Sequence, residues 1–504
     1  MSRNLMLAHD LGTSGNKATL FDPEGKMLAS KTISYPSEYS NQNWAEQNPE
    51  LWWQAVCDST KSILEEHRAE DIKVVSFSGQ MMGCLLVDKH GVPLRNHMMY
   101  SDQRAQRQTE QLIDRVGFER VFEITGHRAS SSYSIAKLMW VRDNEQHIFA
   151  DAYKMLHAKD YMNFLLTGNM VTEYNDASGT NALDLQKLQW SDVMIEAAQI
   201  NESLLPPLVA SSDVIGEVTD KAAQQTGLKA GTLVVAGAGD GGCATIGIGC
   251  VRPGITYNYI GSSSWISTTT TEVLPDPSMM NFTWAHPIKG YMQPCGTSQT
   301  AGASFDWFVN SLGKYETQLG LKQKLSGYDM LDELAASAPV GANGVVFLPY
   351  LMGERSPRWN PEAKGGFLGL SLATTKADMV RAVLEGVSMN LSVILRQMRK
   401  YVDIPEIRLF GGGAKGVNWR RIFADVYGVP VTVPSHLVEV TSMGAAVIGG
   451  VGSGILSSFD CVEDFLAFSD PINPIAEHTD FYDTKVSQFD EIYTMMVPMF
   501  GKLL

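Results

Sequence analysis

Leu5–Asp22 reads LMLAHDLGTSGNKATLFD, and the rest of the chain is organised around this stretch. Apolar runs at Leu5–Ala8 and Ala18–Phe21 flank a polar centre of Asp10, Gly12, Thr13, Ser14, Gly15 and Asn16. Short apolar segments interrupted by a glycine-rich turn predict a β-hairpin. The turn is also rich in groups that hold phosphate. Gly12 and Gly15 let backbone N–H groups approach an anion, Thr13 and Ser14 add hydroxyls, and Lys17 adds a positive charge. Asp10, at the end of the first strand, is placed to hold a metal ion beside such phosphates. Asp and Asn serve equally well as plain turn formers, so the stretch alone leaves both readings open.

A later region echoes it. Leu233–Gly249, LVVAGAGDGGCATIGIG, reads as a buried strand, a glycine-rich turn carrying Asp240 and a small-residue helix. Thr256–Thr270, TYNYIGSSSWISTTT, then repeats the opening pattern, with Gly261-Ser262-Ser263 standing where Gly12-Thr13-Ser14 stand. A weak internal repeat of this kind predicts two similar α/β domains, each bringing a phosphate hairpin to a shared cleft. The boundary is expected near residue 250, giving domains 1–250 and 251–504. A chain of 504 residues is too long for a single core.

The net charge of −15 argues against a nucleic-acid or anionic-membrane surface. Any phosphate site must therefore rely on backbone amides, a metal and a few placed cations. The six cysteines show no CxxC pair and no metal-ligand spacing, as expected of buried thiols in a reduced compartment. No basic segment leads into an apolar signal core. The most apolar late run, Ala445–Leu456, is short and broken by glycines at 449, 450, 452 and 454. A cytoplasmic protein with a small-molecule substrate is expected, and the oligomeric state, a homodimer included, is left open.

The intervening chain reads as an α/β layered fold. Strands are expected at Lys26–Ile33, Lys73–Ser78, Cys84–Val87, Met98–Tyr100, Val345–Leu351, Ile407–Phe410 and Val429–Val433. Asn48 caps a helix with Pro49 at its first position. Thr375 or a neighbour caps a long amphipathic helix, and Ser442–Gly450 is a small-residue helix able to pack closely on a partner.

Several positions can carry chemistry. Gly411–Ala414 follows a strand and precedes a helix, where a flat ligand or phosphate can approach the backbone, although packing alone explains such a turn. Asp240, facing a phosphoryl donor, can take the proton from an attacking hydroxyl, although Asp-Gly is also a common turn dipeptide. Asp102 and Arg104 either grip sugar hydroxyls or pair with each other at a domain surface. Gln80–Gly83 ends a strand, where ligands sit in α/β folds, with Met81 and Met82 equally plausible as core filler. Trp265, Trp307 and Trp359 can stack on a sugar or a base, or simply pack. Together these groups fit phosphoryl transfer from a nucleotide, a reaction that asks mainly for positioning, charge neutralisation and deprotonation of the acceptor.

The order of HDLGTSGNKATLFD, WAEQNPELWW, SFSGQMMG, YSDQR, SSYSIAKLMWVRDN, KDYMNFLLTG, DASGT, GAGDGG, IGSSSW, AGASFDW, FLPYLMGERSP, AKGGFLGL, RAVLEGV, GGGAKGVNW and TSMGAA resembles the FGGY family of carbohydrate kinases, nearest its xylulokinases. The resemblance implies two actin-like, ribonuclease-H-like domains with a cleft between them, and ATP and Mg²⁺ as cofactors. It implies that Asp10 acts through Mg²⁺, that Thr13, Ser14 and Lys17 meet the nucleotide, and that Asp240 is the general base. Gly261 and Ser262 would form the second phosphate hairpin. Gly412, Gly413 and Asn418 would lie against adenosine, and Gly302 and Asp306 would flank the nucleotide cleft. The sugar would sit near Gln80, Met81, Met82, Asp102 and Asp240.

The implied reaction phosphorylates a terminal hydroxyl of a ketopentose, D-xylulose foremost, with ribulose, erythritol, gluconate or an autoinducer-like diol as alternatives. One departure bears on the choice: xylulokinases read Gln-Met-His-Gly where this chain has Gln80-Met81-Met82-Gly83. Met82 cannot donate the hydrogen bond of a histidine, and a site built on such a bond discriminates strongly between hydroxyl patterns. A non-kinase, ATP-gated binding protein of the same fold is the reading from another class. Gly79–Gly83, Tyr100–Arg104 and Gly353–Pro357 argue against it, and the presence of both Asp10 and Asp240 argues against a pseudokinase.

Overall fold

The computed structural model describes residues 4–41, 43–434 and 439–503. The opening stretch forms the hairpin its pattern predicts. β1 (Leu5–Leu11) runs antiparallel to β2 (Gly15–Phe21), with Asp10 opposite Lys17 and Leu11 opposite Asn16. β3 (Met27–Ser34) follows on the outer edge. α1 (Pro49–Leu64) starts at Asn48, whose side-chain oxygen accepts the Glu50 N–H at 2.9 Å, a cap that contributes about 1 kcal/mol. Its buried Trp52, Ala55, Val56 and Ile63 join the core of the first sheet. β4 (Ile72–Gly79), β5 (Val214–Glu217) and β6 (Leu233–Gly239) complete that sheet in the order β3-β2-β1-β4-β6-β5. β4 lies parallel to β1 and to β6, and these central strands read as apolar runs because both their faces are covered. The chain leaves β6 directly into α2 (Asp240–Gly247).

The second sheet repeats this frame. β7 (Thr256–Ile260) and β8 (Ser264–Thr268) form an antiparallel hairpin, and β9 (Phe282–Ala285) and β10 (Met292–Ser298) extend it on one side. The helices that follow include α3 (Gly302–Ser311), α4 (Gly327–Ala336) and the long α5 (Lys376–Met398). α5 is capped by Thr375, whose Oγ1 accepts the Asp378 N–H while the Asp378 carboxylate accepts the Thr375 N–H at 2.8 Å. β11 (Ile407–Phe410) lies parallel to β7 and, across α6 (Val417–Tyr427), to β12 (Val431–Thr432). The order is β9-β10-β8-β7-β11-β12. β1, β2, β3, β4 and β6 therefore correspond in position and direction to β7, β8, β10, β11 and β12, the two actin-like halves expected from the repeat.

α7 (Val440–Gly452) and α2 join the halves. Met443 and Ala445–Ile448 of α7 pack with Met6, Ala8, Val74 and Val235 of the first sheet, while Ala244 and Ile248 pack with Tyr257 and Phe410 of the second. The two helices cross so closely that a Cβ on Gly444 would lie 1.8 Å from the Cys243 carbonyl oxygen, and one on Gly247 would lie 1.7 Å from that of Val440. Only glycine fits at either position. α8 (Ala476–Phe500) closes the second half by burying Tyr482, Val486 and Phe489.

Some strands are shorter than their apolar runs. Proline N lacks the hydrogen a strand ladder needs, so Pro430 and Pro434 trim Val429–Val433 to Val431–Thr432, and Pro349 ends Val346–Leu348. Met98–Tyr100 keeps only His97–Met98 as strand. All six cysteines are free thiols, five of them buried. Among the described residues, no helix is long and apolar enough to cross a membrane.

Candidate active site

The first hairpin presents an open, polar tip on a braced base. The Thr13 carbonyl accepts Gln47 Nε2 at 2.7 Å and Ser37 Oγ at 3.1 Å, and the Gly12 carbonyl accepts the Tyr35 hydroxyl at 2.5 Å. Thr13 is half-buried and Ser14 exposed. The Gly12 N–H is not available to an anion, because it closes the turn on the Gly15 carbonyl at 3.0 Å. Ser78 Oγ donates to Asp10 Oδ1 at 3.0 Å. Burial raises the Asp10 pKa, opposed by that bond and by the Lys17 charge across the ladder.

In the second hairpin the Gly261 N–H likewise closes the turn, on Ser263. The first turn of α3 docks against it: the Ala301 and Ala303 N–H groups donate to the Ser262 carbonyl, and the Gly302 N–H donates to that of Gly261 at 2.9 Å. A side chain on Gly302 would strike that same oxygen at 2.3 Å, which fixes glycine there. Beyond β11, Gly411 adopts φ +96°, and Gly412 faces open space, with nothing within 4 Å of where a Cβ would stand.

Asp240 is the first residue of α2, and its carboxylate caps its own helix by accepting the Gly241 N–H at 2.7 Å. Its side chain meets solvent in the cleft, yet the protein around it pushes its pKa up to about 7. Both statements hold because a narrow cleft admits water but solvates a charge poorly. Burial is the largest cause, followed by the Gly241 N–H in the opposite sense and then the negative charges of Asp10 and Asp176. Burial also raises the Tyr259 phenol of β7, which feels both Asp240 and Asp10, so the hairpins of the two sheets converge on these carboxylates.

Asp176 belongs to a buried network beneath the site. It pairs with His157 Nδ1 at 2.7 Å and with Lys159 Nζ at 3.2 Å, and Lys159 also meets Asp160 at 2.6 Å. His157, Asp160 and Asp176 lie close enough to hold a metal ion, but the Lys159 ammonium already supplies the positive charge among them.

Gln80 ends β4, with Nε2 donating to Gln47 Oε1 at 2.7 Å and its own Oε1 buried without a partner. Met82 follows at φ +64°, a left-handed conformation uncommon outside glycine. The buried Lys137 ammonium donates to the carbonyls of Met82, Ser131 and Ser132 and holds this loop, while burial pushes its pKa down to about 7. Met81 and Met82 pack with Tyr133 from the first half and with Phe282, Trp284, Cys295, Trp265 and Trp359 from the second. Met81, Met82, Trp265 and Trp359 therefore meet in one aromatic wall between the halves. Trp307 does not join them and stacks on Phe347 instead.

Other expected residues are already occupied. The Asp102 carboxylate is fully buried, gripped by Arg104 Nε and Nη2 at 2.9 and 2.6 Å and by the Ala45 N–H at 2.7 Å. Arg104 in turn stacks on Trp44 at 3.6 Å. This is the mutual pairing left open from the sequence. Asn418 Nδ2 is held by Asp332, which caps α6 through the Asn418 and Trp419 N–H groups. Asp306, exposed on α3, accepts Tyr328 Oη and Asn310 Nδ2. Tyr100, Tyr133, Lys137, Asp176 and Glu354 were not singled out from the sequence, although each lies in a stretch that carries the family resemblance: YSDQR, SSYSIAKLMWVRDN, DASGT and FLPYLMGERSP. A surface groove of about 690 Å³, lined by Pro253–Ile255, Thr269–Glu272, Tyr401–Asp403 and Pro405–Glu406, lies at the opposite end of β7 and β8 from the hairpin turn.

Two actin-like halves with glycine hairpins converging on paired carboxylates define a phosphotransferase of the two-domain kinase class. The N-terminal domain profile of the FGGY family of carbohydrate kinases matches residues 5–247, and its C-terminal domain profile matches residues 256–453. The chain belongs to the FGGY family of carbohydrate kinases and is a sugar kinase, a family that uses ATP as phosphoryl donor. It is similar to the xylulose kinase of Bacillus subtilis, 31% identical over 489 residues and 96% of each chain. It is also similar to the gluconokinase of the same organism, 29% identical over 96% of this chain and 94% of that one. The gluconate kinase structure from Lactobacillus acidophilus superposes with a TM-score of 0.93 at 25% identity, covering 100% of both chains.

Proposed function

We propose that this kinase phosphorylates the terminal hydroxyl of a ketopentose, with D-xylulose, giving xylulose 5-phosphate, as the leading acceptor. The observation that carries the reading is Asp240: a carboxylate open to the cleft, at the start of a helix, with its pKa raised to about 7. A base matched to neutral pH is what a poorly acidic hydroxyl needs. Asp240 takes the hydroxyl proton as the sugar oxygen forms its bond to the γ-phosphorus of ATP and the bond from that phosphorus to the bridging oxygen of the departing ADP breaks, and the Gly-rich tips around Thr13, Ser14, Gly261 and Ser262 would hold the donor in line. Lys17 adds charge beside them, Gly412 leaves open space for the base, and Gly413, packed against Ile260 and Trp419, lies next to it, flanked by Gly302, Asp306 and Asn418.

Asp10 fits a magnesium ion. One of its oxygens is committed to Ser78, the other carries no bond to the protein, and burial beside a second carboxylate favours a cation. Bound ATP and Mg²⁺ supply the transferable phosphoryl group and neutralise its charge. The acceptor is proposed to lie by Gln80, Met81 and Met82, while Asp102 holds Arg104 and the Ala45 N–H. The domains are proposed as 1–250 and 251–504, closing over both substrates to exclude water.

Met82, standing where a xylulokinase histidine would read a sugar hydroxyl, counts against D-xylulose, and the likeness to gluconokinases supports a second acceptor class, the aldonates. The test is an ATP-consumption screen over ketopentoses, hexuloses, polyols and aldonates, with the product identified. Acceptor-dependent ADP release matched by a phosphorylated sugar is expected. ATP hydrolysis without a phosphorylated product would instead support an ATP-gated binding protein.

A further inference from the structure

Among the described residues, the buried and half-buried arginines spend their guanidinium groups on the protein, with one exception. Arg104 is held by Asp102, Arg381 by Glu385, Arg358 by Asp490, Arg408 by the Ile248 carbonyl and Arg420 by the Ala414 carbonyl. The half-buried Arg355 has no ion pair and no hydrogen bond from its guanidinium, and its Nε is shut away from solvent without an acceptor. Leaving such a donor unbonded costs stability, so the arrangement calls for a partner from outside the chain.

The backbone of Arg355 is fixed with some care. The buried Glu354 carboxylate accepts the Arg355 N–H at 2.9 Å, the Gln299 N–H at 2.5 Å, Ser298 Oγ at 2.8 Å and Asn390 Nδ2 at 2.7 Å. Two and three residues beyond Gln299, Ala301 and Gly302 donate to the second hairpin at Ser262 and Gly261. Arg355 is thereby tied to the donor side of the site. On its other flank, Ser356 Oγ and Trp359 Nε1 both donate to the Met280 carbonyl, at 2.6 and 2.9 Å. The Trp359 ring meets Phe282 edge-on, within the wall that contains Met81, Met82 and Tyr133. The Arg355 charge reaches two phenols of the first half, Tyr133 and Tyr100, and Tyr100 also senses Asp240.

We propose that Arg355 is an acceptor-contacting residue: its guanidinium, carried by the second half, hydrogen-bonds oxygen functions of the sugar away from the hydroxyl that Asp240 activates. The inference rests on the kinase reading for the identity of the ligand. Five N–H donors in a planar fork suit the hydroxyl, carbonyl or carboxylate oxygens of a polyhydroxylated chain. With Met82 unable to donate, Arg355 supplies the polar contact on that wall.

The test uses Arg355→Met and Arg355→Lys in the full chain, titrated with each ketopentose, polyol or aldonate that the wild type binds and followed by tryptophan fluorescence without nucleotide. Arg355→Met is expected to weaken acceptor binding about ten- to hundredfold, with Arg355→Lys between it and wild type and the KM for ATP within about twofold of wild type. Because no protein partner is lost, thermal stability is expected to be unchanged or higher. Unaltered acceptor affinity in Arg355→Met, or an equal rise in the KM for ATP, overturns the assignment. If instead the wild type binds a sugar but makes no phosphorylated product, the kinase reading fails while the fluorescence titration still decides the role of Arg355.

Discussion

Asp10-Leu11-Gly12 enters the first hairpin and Tyr259-Ile260-Gly261 enters the second, so Tyr259 stands where Asp10 stands. Opposite Asp10 in the ladder is Lys17; opposite Tyr259 is Trp265, with the two rings stacked at 4.0 Å. The contrast continues downstream. β6 leads straight into α2 with Asp240 as its first residue, whereas α7 opens on Val440 and spends its small residues on the first sheet. Backbone pairing and turn geometry were kept in both copies because they make the fold. The carboxylates stand in the first copy only, and the second contributes apolar walls and backbone donors. A duplicated frame can thus hold an asymmetric site, since one or two side chains per hairpin decide its charge.

Breaking that asymmetry at its strongest point should have the largest effect. Asp240→Asn is expected to lower kcat by about 10²- to 10⁴-fold with nucleotide binding retained, measured by steady-state kinetics and nucleotide titration. Wild-type turnover in that variant refutes the base assignment. Asp10→Asn is expected to lose about 10²- to 10³-fold and to need more magnesium for half-maximal rate. Its counterpart, Tyr259→Phe, removes only a hydroxyl from the second hairpin and should leave turnover near wild type. Equal losses at the two positions would mean that the halves share the chemistry and that the site is not asymmetric.

What the sequence made legible is what neighbouring residues determine. The strand–glycine–strand pattern of β1 and β2, its echo in β7 and β8, and the strand-to-helix step at Asp240 are all local. Asn48 and Thr375 announced their helices for the same reason. What stayed hidden depends on segments far apart in the chain. Nothing near Asp102 says whether Arg104 will be turned toward it or toward a ligand; Trp44 and Glu46 settle that from another segment. Asn418 looked free to face adenosine until α4 brought Asp332 onto it. Arg355 is visible only as an absence of partners, a property no sequence displays.

The crossing of α2 and α7 offers an intermediate effect. Gly444→Ala places a methyl carbon 1.8 Å from the Cys243 carbonyl, a backbone atom that cannot swing aside, and overpacking of this kind costs about 1–3 kcal/mol. A lower urea midpoint is expected, together with reduced turnover, because the displaced helix begins at Asp240. Gly412→Ala adds its methyl to open space and should unfold at the same urea concentration as wild type. If Gly444→Ala is as stable as Gly412→Ala, the halves are not joined through this contact.

The smallest expected effect is a pH dependence, and it separates burial from charge at Asp240. A base with its pKa raised to about 7 is ionised above that pH, so kcat/KM for the sugar should fall about tenfold per unit on the acid side. An unperturbed aspartate would hold the rate flat down to about pH 5. Burial is the leading cause and the Asp10 charge a lesser one, so Asp10→Asn should shift the limb toward acid without returning it to the ordinary range. A limb that does not move removes Asp10 from the account. Stability runs the other way. A carboxyl whose folded pKa is raised binds its proton more tightly folded than unfolded, so its stabilising contribution is present below about pH 4 and is lost as the pH climbs through about 7. Asp240→Asn should therefore melt above the wild type at pH 8, with the difference shrinking toward pH 4. Activity lost and stability gained by one substitution is the signature expected of a charge held in the cleft for chemistry, and Tyr259, which stands where Asp10 stands in the second hairpin, should show neither.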